Sequence, residues 1–82
     1  MDLYYINNKE ELIATIDSLE SINNILDVFK SKTGLTIDEY DDTKLHLDHI
    51  KLLDKLITDD NDWKRVFSKA IEKQTGILIL GN

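Results

Sequence analysis

Residues 7–34 read NNKEELIATIDSLESINNILDVFKSKTG, and whether they form helix or strand decides what the chain can build. Asn8, with Glu11 three residues on, has the arrangement in which two side chains satisfy the orphan amides of a helix start. The pattern predicts a helix beginning near Lys9. From there Leu12, Ile16, Leu19, Ile22, Leu26 and Phe29 recur at spacings of three and four, which places them on one helical face. The middle of the stretch, SLESINN, is rich in side chains that compete for backbone hydrogen bonds. One long helix and two helices with a bend near Ser21 therefore both remain open. Gly34 suits a left-handed C-terminal cap, and Lys30 and Lys32 before it complement the negative end of the helix dipole.

Outward from this stretch the elements separate readily, because the chain has no proline and only three glycines. DLYYI (2–6) is an aromatic and branched run typical of a strand. LTIDEY (35–40) alternates in part and reads as an edge strand or an extended connection. Leu47, Ile50, Leu53, Leu56 and Ile57 mark a second amphipathic helix. TDDND (58–62) ends it, with Asp59 or Asp60 available to cap a third. Trp63, Val66, Phe67, Ala70 and Ile71 give that third helix one apolar face, and Thr75 with Gly76 closes it. ILIL (77–80) is apolar at every position, as expected of a strand buried on both faces at the centre of a sheet, with LYYI as its neighbour. The order is β-α-α-α-β. It implies an α+β fold whose small two- or three-stranded sheet, formed by the N- and C-terminal strands, is covered by three or four helices. An all-helical bundle is the rival, since two strands alone are marginally stable.

At 82 residues the chain is expected to form one compact domain, residues 1–82, burying about 60% of its unfolded surface. That leaves little room for a deep pocket. Without cysteine there is neither a disulfide framework nor a thiolate site, and MDLYYINNKEEL lacks the basic start and apolar run of a signal peptide. No run is long enough to cross a bilayer, so the expected location is the cytoplasm. The net charge of −6 is unevenly placed. Residues 1–34 carry six acids and three bases, residues 35–62 nine and three, and residues 63–82 one and four, so the three segments carry −3, −6 and +3. An acidic middle third repels nucleic acid and anionic lipid and attracts a basic partner.

The densest part of that pole is IDEYDDTKLHLDH (37–49). Both histidines, His46 and His49, lie three apart in it, and with Asp42 or Asp48 they allow a metal site to be drawn. The fuller ligand pattern of a zinc hydrolase is missing, and exposed or helix-capping histidines explain the pair as well. DDNDWKRVFSKA begins like a calcium loop but has neither the central glycine nor the closing glutamate. Paired carboxylates such as Asp38 and Asp42 divide acid and base roles only when one is desolvated, and here they crowd a polar turn. Neither a nucleophile elbow nor a phosphate-cradling glycine loop is present. No catalytic residue and no cofactor is expected. Tyr40 and Trp63 each lie beside acids, as interface anchors often do, while Trp63 also opens the apolar stripe of its helix.

The run Ile37-Asp38-Glu39-Tyr40-Asp41-Asp42-Thr43-Lys44-Leu45 resembles a pattern in small acidic bacterial proteins found beside toxin genes, which are often immunity proteins. Where members of that group often carry Pro-Tyr-Gly, this chain has Glu39-Tyr40-Asp41. The resemblance implies that Asp38, Tyr40, Asp42 and Thr43 fix the loop. Charge points the same way, because carboxylates fit a groove built for phosphate, such as that of a nuclease-like toxin. The expected partner surface is Asp38, Glu39, Tyr40, Asp41 and Asp42, joined by Asp59, Asp60 and Asp62 if folding brings the second acidic turn alongside. Two alternatives stand: a homodimeric interaction module whose acidic turns serve solubility, and a small metal-dependent enzyme using His46 and His49.

Overall fold

The computed structural model describes all 82 residues. The chain runs through β1 (Asp2–Tyr5), β2 (Asn8–Thr15), a single 3-10 turn (Glu20–Ile22), α1 (Asn23–Thr33), β3 (Thr43–Leu45), α2 (Leu47–Leu56), α3 (Asp62–Glu72) and β4 (Ile77–Leu80). The four strands form one antiparallel sheet in the order β2-β1-β4-β3. The fold is therefore α+β and not a helical bundle, with a wider sheet than expected and a strand set between the helices. No helix is long and apolar enough to cross a membrane.

The helix expected from Lys9 is a strand. Asn8 does not cap a helix; its Oδ1 accepts from the Glu10 amide at 3.2 Å, a local turn directly after the Ile6–Asn7 corner. β2 then pairs back on β1, with Asp2 opposite Thr15, Leu3 opposite Ala14 and Tyr4 opposite Leu12, and with register shifts on both sides of Tyr4. Helix propensities differ by only tenths of a kcal/mol per residue, so a ladder that pairs a whole strand overrides them. The apolar spacing that read as one helical stripe is shared among several elements. Leu12 is largely exposed, Ile13 and Ala14 pack against the core, and Leu19, Ile22 and Phe29 are buried from a loop, the 3-10 turn and α1. Neither one long helix nor two helices bent near Ser21 forms: the first half of the stretch is β2, and Ser21 lies in the 3-10 turn that runs directly into α1. Gly34 closes α1 with φ 76°, as the cap required, and its amide donates to the Lys30 carbonyl.

LTIDEY forms no strand; it is an extended connection in which Ile37 alone is buried, and β3 begins only at Thr43. α2 and α3 match their predicted stripes, but the cap of α3 is Asn61, not Asp59 or Asp60, with Oδ1 accepting from the Lys64 amide at 2.9 Å. α3 ends at Glu72, before the expected Thr75–Gly76 stop, and Gln74 takes the left-handed turn at φ 57°. β4 does sit inside the sheet, between β1 and β3, but it is not buried on both faces. Ile77 and Ile79 are fully buried on the helix side with Leu3 and Leu45, whereas Leu78 and Leu80 are half-buried on the other side. All the helices pack on one face, so an apolar residue at every position of β4 does not imply two covered faces.

The core centres on Trp63, Phe29 and Phe67, with the Trp63 and Phe67 rings 5.8 Å apart. The Trp63 indole N–H donates to the Ser18 carbonyl at 3.2 Å, so the side chain is a core residue with its polar atom satisfied. Truncating Phe67 to alanine should cost about 3–5 kcal/mol, a large share of the roughly 5–15 kcal/mol available to such a domain. Val28→Ala, at a position 41% exposed, should change stability by less than about 0.5 kcal/mol. Urea denaturation of both variants checks the contrast.

At the far end of the sheet Lys73 joins α3 to β2. Its Nζ lies 3.1 Å from Glu11 Oε2 and 4.8 Å from the centre of the Tyr5 ring. The hydrogen bond and charge of Glu11 raise the Lys73 pKa above 10.5. The tie is therefore fully present below pH 10.5 and is lost as pH rises through the raised value. The difference in melting temperature between the wild type and Lys73→Gln should be constant at neutral pH and vanish in strong alkali, as thermal scans across that range would show.

Candidate functional site

The acidic loop 38–42 leaves the core at buried Ile37 and re-enters the sheet at Thr43. Backbone contacts fix it from several directions. Asp38 Oδ1 accepts from the Tyr40 amide at 2.9 Å, and the Asp38 carbonyl accepts from the Asp41 amide at 3.3 Å, folding the loop into a tight turn. Glu39 Oε1 accepts from the Leu19 amide at 2.7 Å, while its carbonyl accepts from the Asn82 amide at 2.7 Å. Asp42 Oδ1 accepts from the Gly81 amide at 3.0 Å. Gly81 lies so close beneath the loop that a Cβ there would stand 2.6 Å from the Tyr40 carbonyl carbon and 2.7 Å from the Asp41 nitrogen.

These contacts divide the acids by task. Asp38, Glu39 and Asp42 each accept from a backbone amide, which holds the loop without cancelling their charge. Asp41 makes no side-chain bond, and none of the four forms an ion pair; the salt bridges of the molecule involve Asp54, Asp60, Asp62 and Glu11. Tyr40 stands among them 74% exposed, the most exposed large hydrophobic side chain in the protein. The arrangement is a hydrogen-bonded turn carrying one exposed aromatic ring and four carboxylates without ion-pair partners.

The second acidic turn differs. Arg65 Nη1 lies 2.6 Å from Asp62 and its Nε lies 3.6 Å from Asp60, so two of the three acids share one guanidinium on the surface. Asp59 borders a cleft of about 30 Å³ with Ser21, Asn24 and Leu56, far smaller than the usual range for ligand pockets. The first turn is bonded to Leu19, while Asp59 and Asn61 of the second line the small cleft together with Ser21 and Asn24, and no hydrogen bond joins one turn to the other.

The two histidines are not part of a metal-type cluster. Their rings are 5.9 Å apart, His49 stands edge-on to buried Phe29 at 6.0 Å, and no three histidine, aspartate or glutamate side chains gather to hold a metal ion. His49 Nδ1 is buried without a hydrogen-bond partner. His46 precedes α2 at its N-cap position but makes no side-chain cap bond. A broader depression bordered by Tyr5, Asn7, Asn8, Glu11 and Lys73 holds two charged groups that pair with each other. Gly81 and the Leu19 amide support the loop and were not legible in the sequence, because each meets the loop only through the tertiary fold.

Comparison with protein-family models, with curated proteins and with solved structures finds no match for this chain.

Gly81→Ala should drive the loop off the end of β4. We expect clear destabilisation together with large amide shifts at residues 38–42 in two-dimensional NMR spectra, whereas Gly34→Ala, with open space around it but φ 76°, should destabilise without moving the loop.

Proposed function

We propose that this chain is an acidic protein-binding domain of the immunity type, which neutralises a cognate toxin in the cytoplasm by covering its basic active-site surface. The observation that supports this most is the loop itself: Tyr40 is exposed on a turn already tied to the Leu19 and Gly81 amides by the Glu39 and Asp42 side chains and to the Asn82 amide by the Glu39 carbonyl. A loop held in its binding shape before encounter loses little further conformational freedom on association. Exposed aromatic rings among polar neighbours are frequent energetic anchors of interfaces.

In this reading the roles separate. The carboxylates of residues 38–42 draw in a cationic surface and hasten encounter, and Tyr40 slows release by filling a pocket in the partner. Asp59, which forms no ion pair, adds to the acidic field, while Asp60 and Asp62, held by Arg65, contribute less. The mechanism is occlusion: carboxylates take positions meant for substrate phosphates, and the toxin cannot admit its substrate. No cofactor takes part.

The test uses a toxin-like protein encoded beside this chain. Asp41→Lys reverses the one loop acid without a structural bond, so it should lower the association rate about tenfold at low salt and flatten the salt dependence. Tyr40→Ala should instead speed dissociation about tenfold or more. Surface plasmon resonance at several ionic strengths separates the two effects. Rates and salt slopes unchanged in Asp41→Lys would sink the electrostatic mechanism.

A further inference from the structure

The sheet has an uncovered face. Register places Leu12, Tyr4, Leu78 and Lys44 side by side across β2, β1, β4 and β3, and sets Asp2 beside Leu80 in the next row. Leu12 and Lys44 are exposed, Tyr4, Asp2, Leu78 and Leu80 are half-buried, and none of the three leucines belongs to or packs against the core cluster. A soluble sheet with one open face normally carries polar residues there. Here the central strand presents two leucines.

Charge decides what fits over them. Asp2 and Lys44 flank β4 on opposite sides and in different rows, so they stand diagonally across the point midway between Leu78 and Leu80. Lys44 forms no ion pair or hydrogen bond within the chain, and Asp2 is bonded only by the Thr15 hydroxyl, at 2.9 Å. Opposite charges placed symmetrically about an apolar centre make a self-complementary surface, as a two-fold interface requires. We infer that a second copy of this chain docks face to face on the open sheet, with the two-fold axis lying in the plane between the two sheets, over the point midway between Leu78 and Leu80 and at right angles to the Asp2–Lys44 diagonal. Each copy's Asp2 then lies opposite the other's Lys44, twice over, and four leucines stack between them.

Size sets the strength. Four strands about 4.8 Å apart and roughly four residues long give a face of only about 19 by 13 Å. That is well short of a standard interface, so the dimer is weak and concentration-dependent, of the transient class. It uses none of the carboxylates of residues 38–42, so it stands or falls apart from the function proposed above.

Sedimentation equilibrium up to about 1 mM protein tests it. The wild type should self-associate, and Leu78→Asp should remain monomeric. Lys44→Asp, a change at an exposed position, should weaken association about five- to tenfold by setting two acid pairs against each other. Adding Asp2→Lys to Lys44→Asp should restore it, which a merely structural effect of either change would not do; circular dichroism confirms that each variant is folded. A wild type that is monomeric throughout would overturn the proposal. So would a double variant that stays as weak as Lys44→Asp, or concentration-dependent amide shifts confined to α1 or the outer edge of β2, which would mean that another surface self-associates.

Discussion

The ladder between β1 and β4 is the constraint on which the remaining structure depends. Leu3 opposite Ile79 and Tyr5 opposite Ile77 bring the two ends of the chain into the middle of one sheet, and all four side chains face the helices. β2 and β3 can then add only on the outside, and α3 is laid over the sheet with Trp63 and Phe67 turned inward. The acidic loop inherits its position from the same ladder. Gly81 directly follows β4, and its amide and bare Cα are what Asp42 and the Tyr40–Asp41 backbone rest on.

Much of this was legible in the sequence. Alternation and branching marked β1, the apolar run marked β4, and spacings of three and four marked α2 and α3, because in each case local propensity and tertiary demand agree. They disagree in residues 8–15. Lys9, Glu10, Glu11, Leu12 and Ala14 are good helix formers, and only the availability of β1 as a neighbour, together with the turn at Asn8, makes them a strand. Pairing of that kind cannot be read from a window of sequence.

The acidic loop shows the same division. Its composition was evident, and so was the helix before it, but the strand β3 that follows it directly was not. The resemblance to immunity-type proteins implied that Asp38, Tyr40, Asp42 and Thr43 fix the loop; Asp38 and Asp42 accept backbone amides, whereas the side chains of Tyr40 and Thr43 make no hydrogen bond. Glu39 does so too, across to Leu19, which nothing in the local pattern indicated. Carboxylates that look equivalent in sequence thus differ: three brace the turn, and Asp41 alone has no bond to break. The second acidic turn is tempered by Arg65, a residue three or more positions away whose direction is set by α3.

The β1–β4 ladder also governs the order in which the chain can assemble. The β1–β2 hairpin joins neighbours in the chain, but the central pairing of the sheet joins β1 to a strand about seventy residues further on. Closing so long a loop before its contacts give any return makes folding slower than in a helical bundle of equal size. Until β4 arrives, Leu3 and Tyr5 lack their central neighbour, and the nascent hairpin is open to pairing with the wrong strand.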